Sequence, residues 1–238
     1  MARLSGKIAL VTGGTRGIGA GIVRAFAAEG AQVAYSGTRL DEKSEGEGFV
    51  AELTDPHAPA KLMEAVIKRF GGIDILVNNA GVGSRVSEWE LEPEEWDRVH
   101  AVNLRAVFFL SREAAKSMRE RGGGSILNVA SIAGQNGGIA GSPAYATSKG
   151  AVITLTRSLA RRFAPHRIRV NCLSPADIET DMTAAWPQEL RQRLIAITPL
   201  ARFGEVDEVT GAAVFFASDE STFVTGQTLS INGGAFMS

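Results

Sequence analysis

The chain holds a single cysteine, Cys172, so no internal disulfide is possible and a reducing compartment is the expectation. Histidine is scarce. His57, His100 and His166 are scattered, and without a Cys/His cluster no metal site is expected. Neither sign of charge dominates: 25 Lys and Arg stand against 26 Asp and Glu, interspersed along the chain. A nucleic-acid binder would carry a basic surplus, so no nucleic-acid partner is expected. Long apolar runs are also missing. None approaches the roughly 20 residues of a spanning helix, and Met1-Ala2-Arg3-Leu4-Ser5-Gly6-Lys7 lacks the apolar centre of a secretory signal. No membrane partner is expected, and a cytoplasmic protein is the default. No charge run, Ser/Pro linker or repeat marks a domain boundary. Tyrosine occurs only twice.

What is present is 45% hydrophobic residues and 27 glycines in 238 positions, the composition of an α/β domain with many tight turns. Ile8-Ala9-Leu10-Val11 reads as a fully buried strand. A glycine-rich turn, a helix to about Glu29 with Gly30 in the C-cap role, and a strand over 31–36 complete one βαβ unit. Further strands are expected at 49–53, 73–77, 125–129, 168–173 and 228–231. Helices are expected at 59–70, 93–121, 144–163 and 205–217. The segment 37–48 is too rich in charge and glycine for more than a small helix. Alternating strands and helices imply a parallel sheet covered on both faces. The expectation is α/β, one doubly wound domain over 1–238 with a seven-stranded parallel sheet. The long connection 175–199 interrupts it, and such excursions are often lids. Met182, Trp186, Leu190, Leu194 and Ile197 recur there at three to four residues, which predicts one apolar helical face.

The turn after the first strand reads Thr12-Gly13-Gly14-Thr15-Arg16-Gly17-Ile18-Gly19. Glycines there permit a tight turn and close approach of backbone to phosphate, and the helix N-terminus offers free N–H groups and partial positive charge. A dinucleotide site follows. An NAD site has an acid about 20 residues on, to bind the ribose 2′-hydroxyl. Here the stretch is Ser36-Gly37-Thr38-Arg39, with no acid before Asp41. Arg39 and Arg16 could instead pair with a 2′-phosphate, since guanidinium matches phosphate geometry. NADPH is therefore favoured over NADH.

One tyrosine stands in Tyr145-Ala146-Thr147-Ser148-Lys149, at the start of the helix expected over 144–163. Residues four apart share a helix face, so a phenol and an ammonium meet. A nearby cation lowers a tyrosine's pKa and makes it a workable acid or base. Ser131, at the end of a strand pattern, supplies a second polar group.

Together these pieces resemble the short-chain dehydrogenase/reductase family in its single-domain Rossmann form, over almost the whole chain. The glycine turn matches the family's cofactor turn, Asn78-Asn79-Ala80-Gly81 its fourth-strand motif, and Asn103, Ser131, Tyr145 and Lys149 its catalytic tetrad. The segment from Asn171 through Thr180 resembles the part that packs over the nicotinamide. The resemblance implies that Tyr145 protonates the carbonyl oxygen, Ser131 orients the carbonyl, and Lys149 holds the ribose and lowers the tyrosine pKa. It also implies that Asn103 breaks a helix locally and anchors a water relay, and that Ile178 and Thr180 hold the carboxamide. Asn79, Ala80 and Gly81 line the cofactor, with Glu52 and Leu53 beside the adenine. Departures occur at Pro175-Ala176-Asp177, where the family usually has Pro-Gly, and at Glu52-Leu53, where Asp or Asn followed by Val is common.

The tail Ile231-Asn232-Gly233-Gly234-Ala235-Phe236-Met237 resembles that of 3-oxoacyl-(acyl-carrier-protein) reductases. That implies a 3-oxoacyl thioester or similar ketone as substrate. An acyl carrier protein is a possible partner, docking near Ser125 and His166-Arg167. The alternatives are an NAD(P)-dependent dehydrogenase of a secondary alcohol, polyol or sugar, and a non-catalytic nucleotide-sensing scaffold. Family resemblance also implies a homotetramer, built from the helices at 93–121 and 144–163 and from the C-terminal strand and tail.

Overall fold

A computed structural model describes residues 2–40, 44–139 and 141–237, without the side chain of Met182. Seven strands are formed: β1 (Ile8–Thr12), β2 (Gln32–Gly37), β3 (Glu47–Val50), β4 (Ile75–Asn78), β5 (Gly124–Val129), β6 (Ile168–Pro175) and β7 (Thr228–Ile231). They hydrogen-bond in the order β3-β2-β1-β4-β5-β6-β7, and every pair is parallel. The chain steps outward from β1 to β3, then returns to place β4 on the other side of β1, with Val11 opposite Val77. That reversal opens a crevice beyond the carboxyl ends of β1 and β4, where open α/β sheets bind ligands.

Strand alternation sorts the core. Leu10, Leu76 and Ile126 point to one face, packed by α2 (Ala58–Phe70), α4 (Ala106–Glu120) and α6 (Pro143–Phe163). Ala9, Val11, Ile75, Val77 and Leu127 point to the other, packed by α1 (Gly17–Ala28) and α9 (Val206–Ala217). Each fully buried Leu or Ile contributes roughly 1.5–3 kcal/mol. The shorter helices are α3 (Pro93–His100), α5 (Ala133–Asn136), α7 (Asp181–Ala184) and α8 (Gln188–Ala196). No helix among the described residues is long and apolar enough to cross a membrane.

Several elements differ from expectation. The third strand lies over Glu47–Val50 rather than 49–53, because Glu52 starts a turn that Thr54 and Asp55 close onto it. The fourth starts at Ile75, not Ile73, since the Asp74 carboxylate is drawn aside to the Ile8 N–H and Arg121. The helix expected over 93–121 is interrupted by a π turn, Ala101–Arg105, which contains Asn103, where the family resemblance implied a local break and the periodicity did not. The described part of 37–48 contains no helix, in line with the expectation of a small or absent one there. Asp41, the first acid after β2, lies outside the described residues.

The segment 175–199 forms two short helices instead of one apolar face. Pro187 caps α8 from outside, and a proline disfavours helical backbone in the residue before it, here Trp186. Leu194 is buried, Ile197 is exposed, and the side chain of Met182 lies outside the described residues.

Candidate active site

A cavity of about 790 Å³ runs along the carboxyl ends of the strands, from the glycine turn to α8. Its floor at β1 depends on absent side chains. Gly13 has a φ of 64°, and a Cβ there would stand 2.9 Å from the Ala80 Cα. At Gly19 a Cβ would stand 2.1 Å from the Gly13 carbonyl oxygen. Only glycine lets α1 begin so close to the turn, which leaves its first N–H groups facing the cavity. Thr15, Arg16, Gly17 and Ile18 line the same wall.

The turn is tied to the end of β4 by a residue that the sequence reading left out of the site. Thr12 accepts hydrogen bonds from the Asn79 and Ala80 N–H groups at 3.1 Å. Asn79 answers by donating to the Thr12 and Gly13 carbonyls at 2.9 and 3.1 Å. Asn79, Ala80 and Gly81 thus hold a fixed position on the cavity wall. Thr12 looks like an ordinary strand end in sequence, and only pairing of β1 with β4 gives it this task.

Asn103 sits fully buried in the π turn. Its Oδ1 accepts from the Val82 N–H at 2.8 Å, and its Nδ2 donates to the Val82 carbonyl at 3.0 Å and to Ser148 Oγ at 3.1 Å. The extra residue of the turn lets one side chain satisfy a loop backbone and reach α6 together.

Ser131, Tyr145 and Lys149 line the cavity together. Ser142 caps α6 and accepts from the Tyr145 N–H at 3.4 Å, with Pro143 at the first position, so Tyr145 stands in the first turn. One turn on, the Lys149 ammonium lies 5.8 Å from the centre of the Tyr145 ring and donates to the Val129 carbonyl at 2.8 Å. Burial pulls the Lys149 pKa down to about 8. The phenol differs from the expectation. Loss of water pushes the Tyr145 pKa up, a hydrogen bond with Ser131 draws it back, and the Asp177 carboxylate raises it further. Lys149 gives one of its three N–H bonds to a carbonyl, and burial rather than the ammonium sets the direction of the tyrosine's shift.

At the adenine end, Thr38, Glu52 and Leu53 line the cavity. Arg16 lines it too and is exposed, whereas Arg39 is exposed beyond the rim and is not part of the lining. At the other end Ile178 and Thr180 are lining residues. Thr180 caps α7, with its N–H donating to Thr183 Oγ1 at 2.9 Å, and its methyl faces Gly17.

Asp177, expected at the start of the substrate pocket and noted as a departure from the family pattern, lines the cavity. Arg85 lines it as well, and its distance from Trp186 in sequence hid their contact. Ser125, expected near a carrier-protein surface, is instead buried in β5, where its hydroxyl donates to the Phe216 carbonyl at 2.8 Å. His166 and Arg167 are exposed. Among the described residues, no three His, Cys, Asp or Glu side chains group to hold a metal.

Comparison with known proteins agrees with this architecture. The family model described as enoyl-(acyl carrier protein) reductase matches residues 13–235. A 3-oxoacyl-(acyl-carrier-protein) reductase of Vibrio cholerae is 38% identical, covering 98% of this chain and 99% of its own. A 3alpha-hydroxysteroid dehydrogenase of Mediterraneibacter gnavus is 40% identical, covering 98% of each. The crystal structure of a short-chain type dehydrogenase/reductase from Mycobacterium marinum superposes with a TM-score of 0.91 at 34% identity, covering 99% of this chain and 97% of that one. The chain belongs to the short-chain dehydrogenase/reductase family of oxidoreductases, which use NAD(P)H.

Proposed function

We propose that this protein reduces a ketone to a secondary alcohol with NADPH, the ketone being a 3-oxoacyl thioester or a similar carbonyl compound. The observation that carries this reading is the meeting of the Ser131 hydroxyl, the Tyr145 phenol and the Lys149 ammonium in the cavity that also contains the glycine turn. The residues present fit a dinucleotide. The side-chain-free cradle at Gly13 and Gly19 leaves room for a pyrophosphate on the N-terminus of α1. Arg16, Thr38 and Arg39 would hold a 2′-phosphate, Glu52 and Leu53 would flank the adenine, and Asn79, Ala80 and Gly81 would line the ribose and nicotinamide. Ile178 and Thr180 would hold the carboxamide, and Lys149 the ribose hydroxyls.

NADPH, when bound, supplies the hydride. Ser131 donates a hydrogen bond to the carbonyl oxygen and orients it. Tyr145 gives its phenolic proton to that oxygen, so C=O becomes CH–OH. Its raised pKa keeps the phenol protonated near neutral pH, as an acid in the reducing direction requires. Asn103 is a positioning residue that fixes the loop at Val82 and the Ser148 turn of α6. The family resemblance adds a water relay from Lys149 past Asn103 to solvent.

The likeness to the Vibrio enzyme supports the acyl thioester, and exposed His166 and Arg167 offer an acyl carrier protein part of a basic contact. A second reading is a dehydrogenase of a secondary alcohol such as a hydroxysteroid, favoured by the 40% identical Mediterraneibacter relative. The test is NADPH consumption with acetoacetyl thioesters, diketones and 3-ketosteroids, repeated with NADH and with two variants. Tyr145→Phe should lose at least about a hundredfold in turnover and keep cofactor binding. Arg39→Asp should erase or reverse a preference for NADPH. Full activity in Tyr145→Phe would overturn the acid, and equal Michaelis constants for the two cofactors would overturn the 2′-phosphate site.

A further inference from the structure

Beyond β6 the chain runs Pro175-Ala176-Asp177-Ile178, and its backbone is held on two sides. The Pro175 carbonyl accepts from the Ile132 N–H at 2.9 Å, the Asp177 carbonyl accepts from the Gly204 N–H at 2.9 Å, and Ile178 pairs with Gly204 in a parallel bridge. The Asp177 side chain therefore stands on a fixed main chain. It is half-buried, lines the cavity beside Tyr145, and among the described residues has no hydrogen bond or ion pair. Glu179, by contrast, is paired with Arg191 outside the cavity lining, while Asp181 and Glu52 line the cavity, Asp181 exposed at the start of α7 and Glu52 at the far end, bonded to Thr54. Burial pushes the Asp177 pKa up, and its charge in turn raises that of Tyr145.

Three cations line the same cavity, and Arg16 is exposed beside the glycine turn. Lys149 is buried and directed at the Val129 carbonyl. Arg85 is exposed at the mouth, stacked on Trp186 at 4.6 Å, where solvent screens it. Among the described residues, Asp177 is thus the half-buried carboxylate of this lining that no hydrogen bond or ion pair holds.

We infer that Asp177 sets substrate choice, excluding ketones that carry a free carboxylate beside the carbonyl and admitting those whose carboxyl is masked as an ester or thioester. The inference rests on the ketone-reductase reading and deepens it. A 3-oxo acid held at Ser131 and Tyr145 has its own carboxylate one carbon from the ketone, within reach of Asp177. Two like charges on one cavity wall repel, and with solvent at the mouth the effect on binding is of order tenfold. Esterification removes the charge and the repulsion.

The experiment compares kcat/KM for acetoacetate and methyl acetoacetate with NADPH in the holoenzyme. Wild type should favour the ester by about tenfold or more. Asp177→Asn keeps the shape and removes the charge, so the ester-to-acid ratio should fall about tenfold, mainly through a lower KM for acetoacetate. Asp177→Glu should restore the preference. Calorimetric binding of the product pair, 3-hydroxybutyrate and its methyl ester, should show the same change without turnover. An unchanged ratio in Asp177→Asn overturns the inference and leaves the reductase reading standing. Equal losses for acid and ester in both variants mark a merely structural residue and overturn it as well. Reduction of neither ketone by wild type overturns the reading and the inference with it.

Discussion

Lys149 carries a charge into a place where water is scarce, and the cost is visible in its titration. Burial takes the ammonium from 10.5 to about 8, with the Val129 carbonyl at 2.8 Å as its offsetting partner. Between those two values the unfolded chain keeps a proton that the folded chain has released. Stability therefore rises with pH across that window, and below it the full cost of the buried cation is present, of order 3 kcal/mol. Cys172 acts in the opposite sense. Burial lifts its thiol from 9.0 to about 11, so the unfolded chain deprotonates first and stability falls with pH there. Lys149→Met removes the first effect and leaves the second. The variant should gain on wild type by of order 2 kcal/mol more at about pH 7 than at about pH 9.5, or about 4–8 °C in Tm. A difference in Tm that stays flat with pH would show that the ammonium is not desolvated. In the sequence the pairing of Tyr145 with Lys149 was legible from spacing alone. The direction of the tyrosine's shift was not, because it depends on Ser131, Asp177 and the depth of burial.

Among the elements, the segment of α7 and α8 is fixed at its start by backbone bonds with Gly204 and further along by buried Leu194, and aromatic contacts join its middle to neighbouring chain. The Arg85 guanidinium lies 4.6 Å over Trp186, Trp186 meets the Phe203 ring edge-on at 6.2 Å, and Arg191 covers Phe203 at 4.5 Å. The exposed Arg85 contact is worth about 0.5–1 kcal/mol, while Phe203 is buried. A cover whose outer edge is fastened by so little can open on the timescale of turnover. We therefore propose that 175–199 acts as a substrate lid. Binding NADPH and a ketone analogue should slow amide exchange between Asp177 and Ile197, and Trp186→Ala should raise KM for bulky ketones. Exchange that is slow beforehand and unmoved by ligand would make it a static pair of helices. The excursion was legible in the sequence, but its internal form was not. Apolar spacing alone implied one face, while Pro187 already signalled a break that the periodicity concealed. The π turn was likewise invisible to periodicity and was expected only through the family's use of Asn103.

At the scale of the whole molecule, the sheet was readable because parallel strands buried on both faces are nearly continuous apolar runs. Ile8-Ala9-Leu10-Val11 is buried throughout, as that pattern requires. Surface properties were harder to read, since they depend on what each residue meets after folding. Ser125 is the plain case, turned inward by the Phe216 carbonyl. The apolar stretches of α4 and α6 divide in the same way. Val107, Leu110, Val152 and Ile153 are spent inside the subunit, whereas Phe108 is 37% exposed. Leu200, Phe223, Leu229 and Met237 are also exposed, the last two in β7 and the tail. Apolar side chains that join into a surface patch mark interaction sites, and soluble oligomers close by symmetry. We propose that copies of this chain join through α4 and α6 and through β7 with the tail, giving two interfaces and a tetramer. Light scattering at micromolar concentration should then return four times the 25.1 kDa subunit. Phe108→Glu, which places like charges across a two-fold contact, should shift the mass toward dimer while the far-ultraviolet circular dichroism stays that of wild type. A wild-type mass of one subunit would refute the assembly, and a tetramer unaffected by Phe108→Glu would remove α4 from the interface.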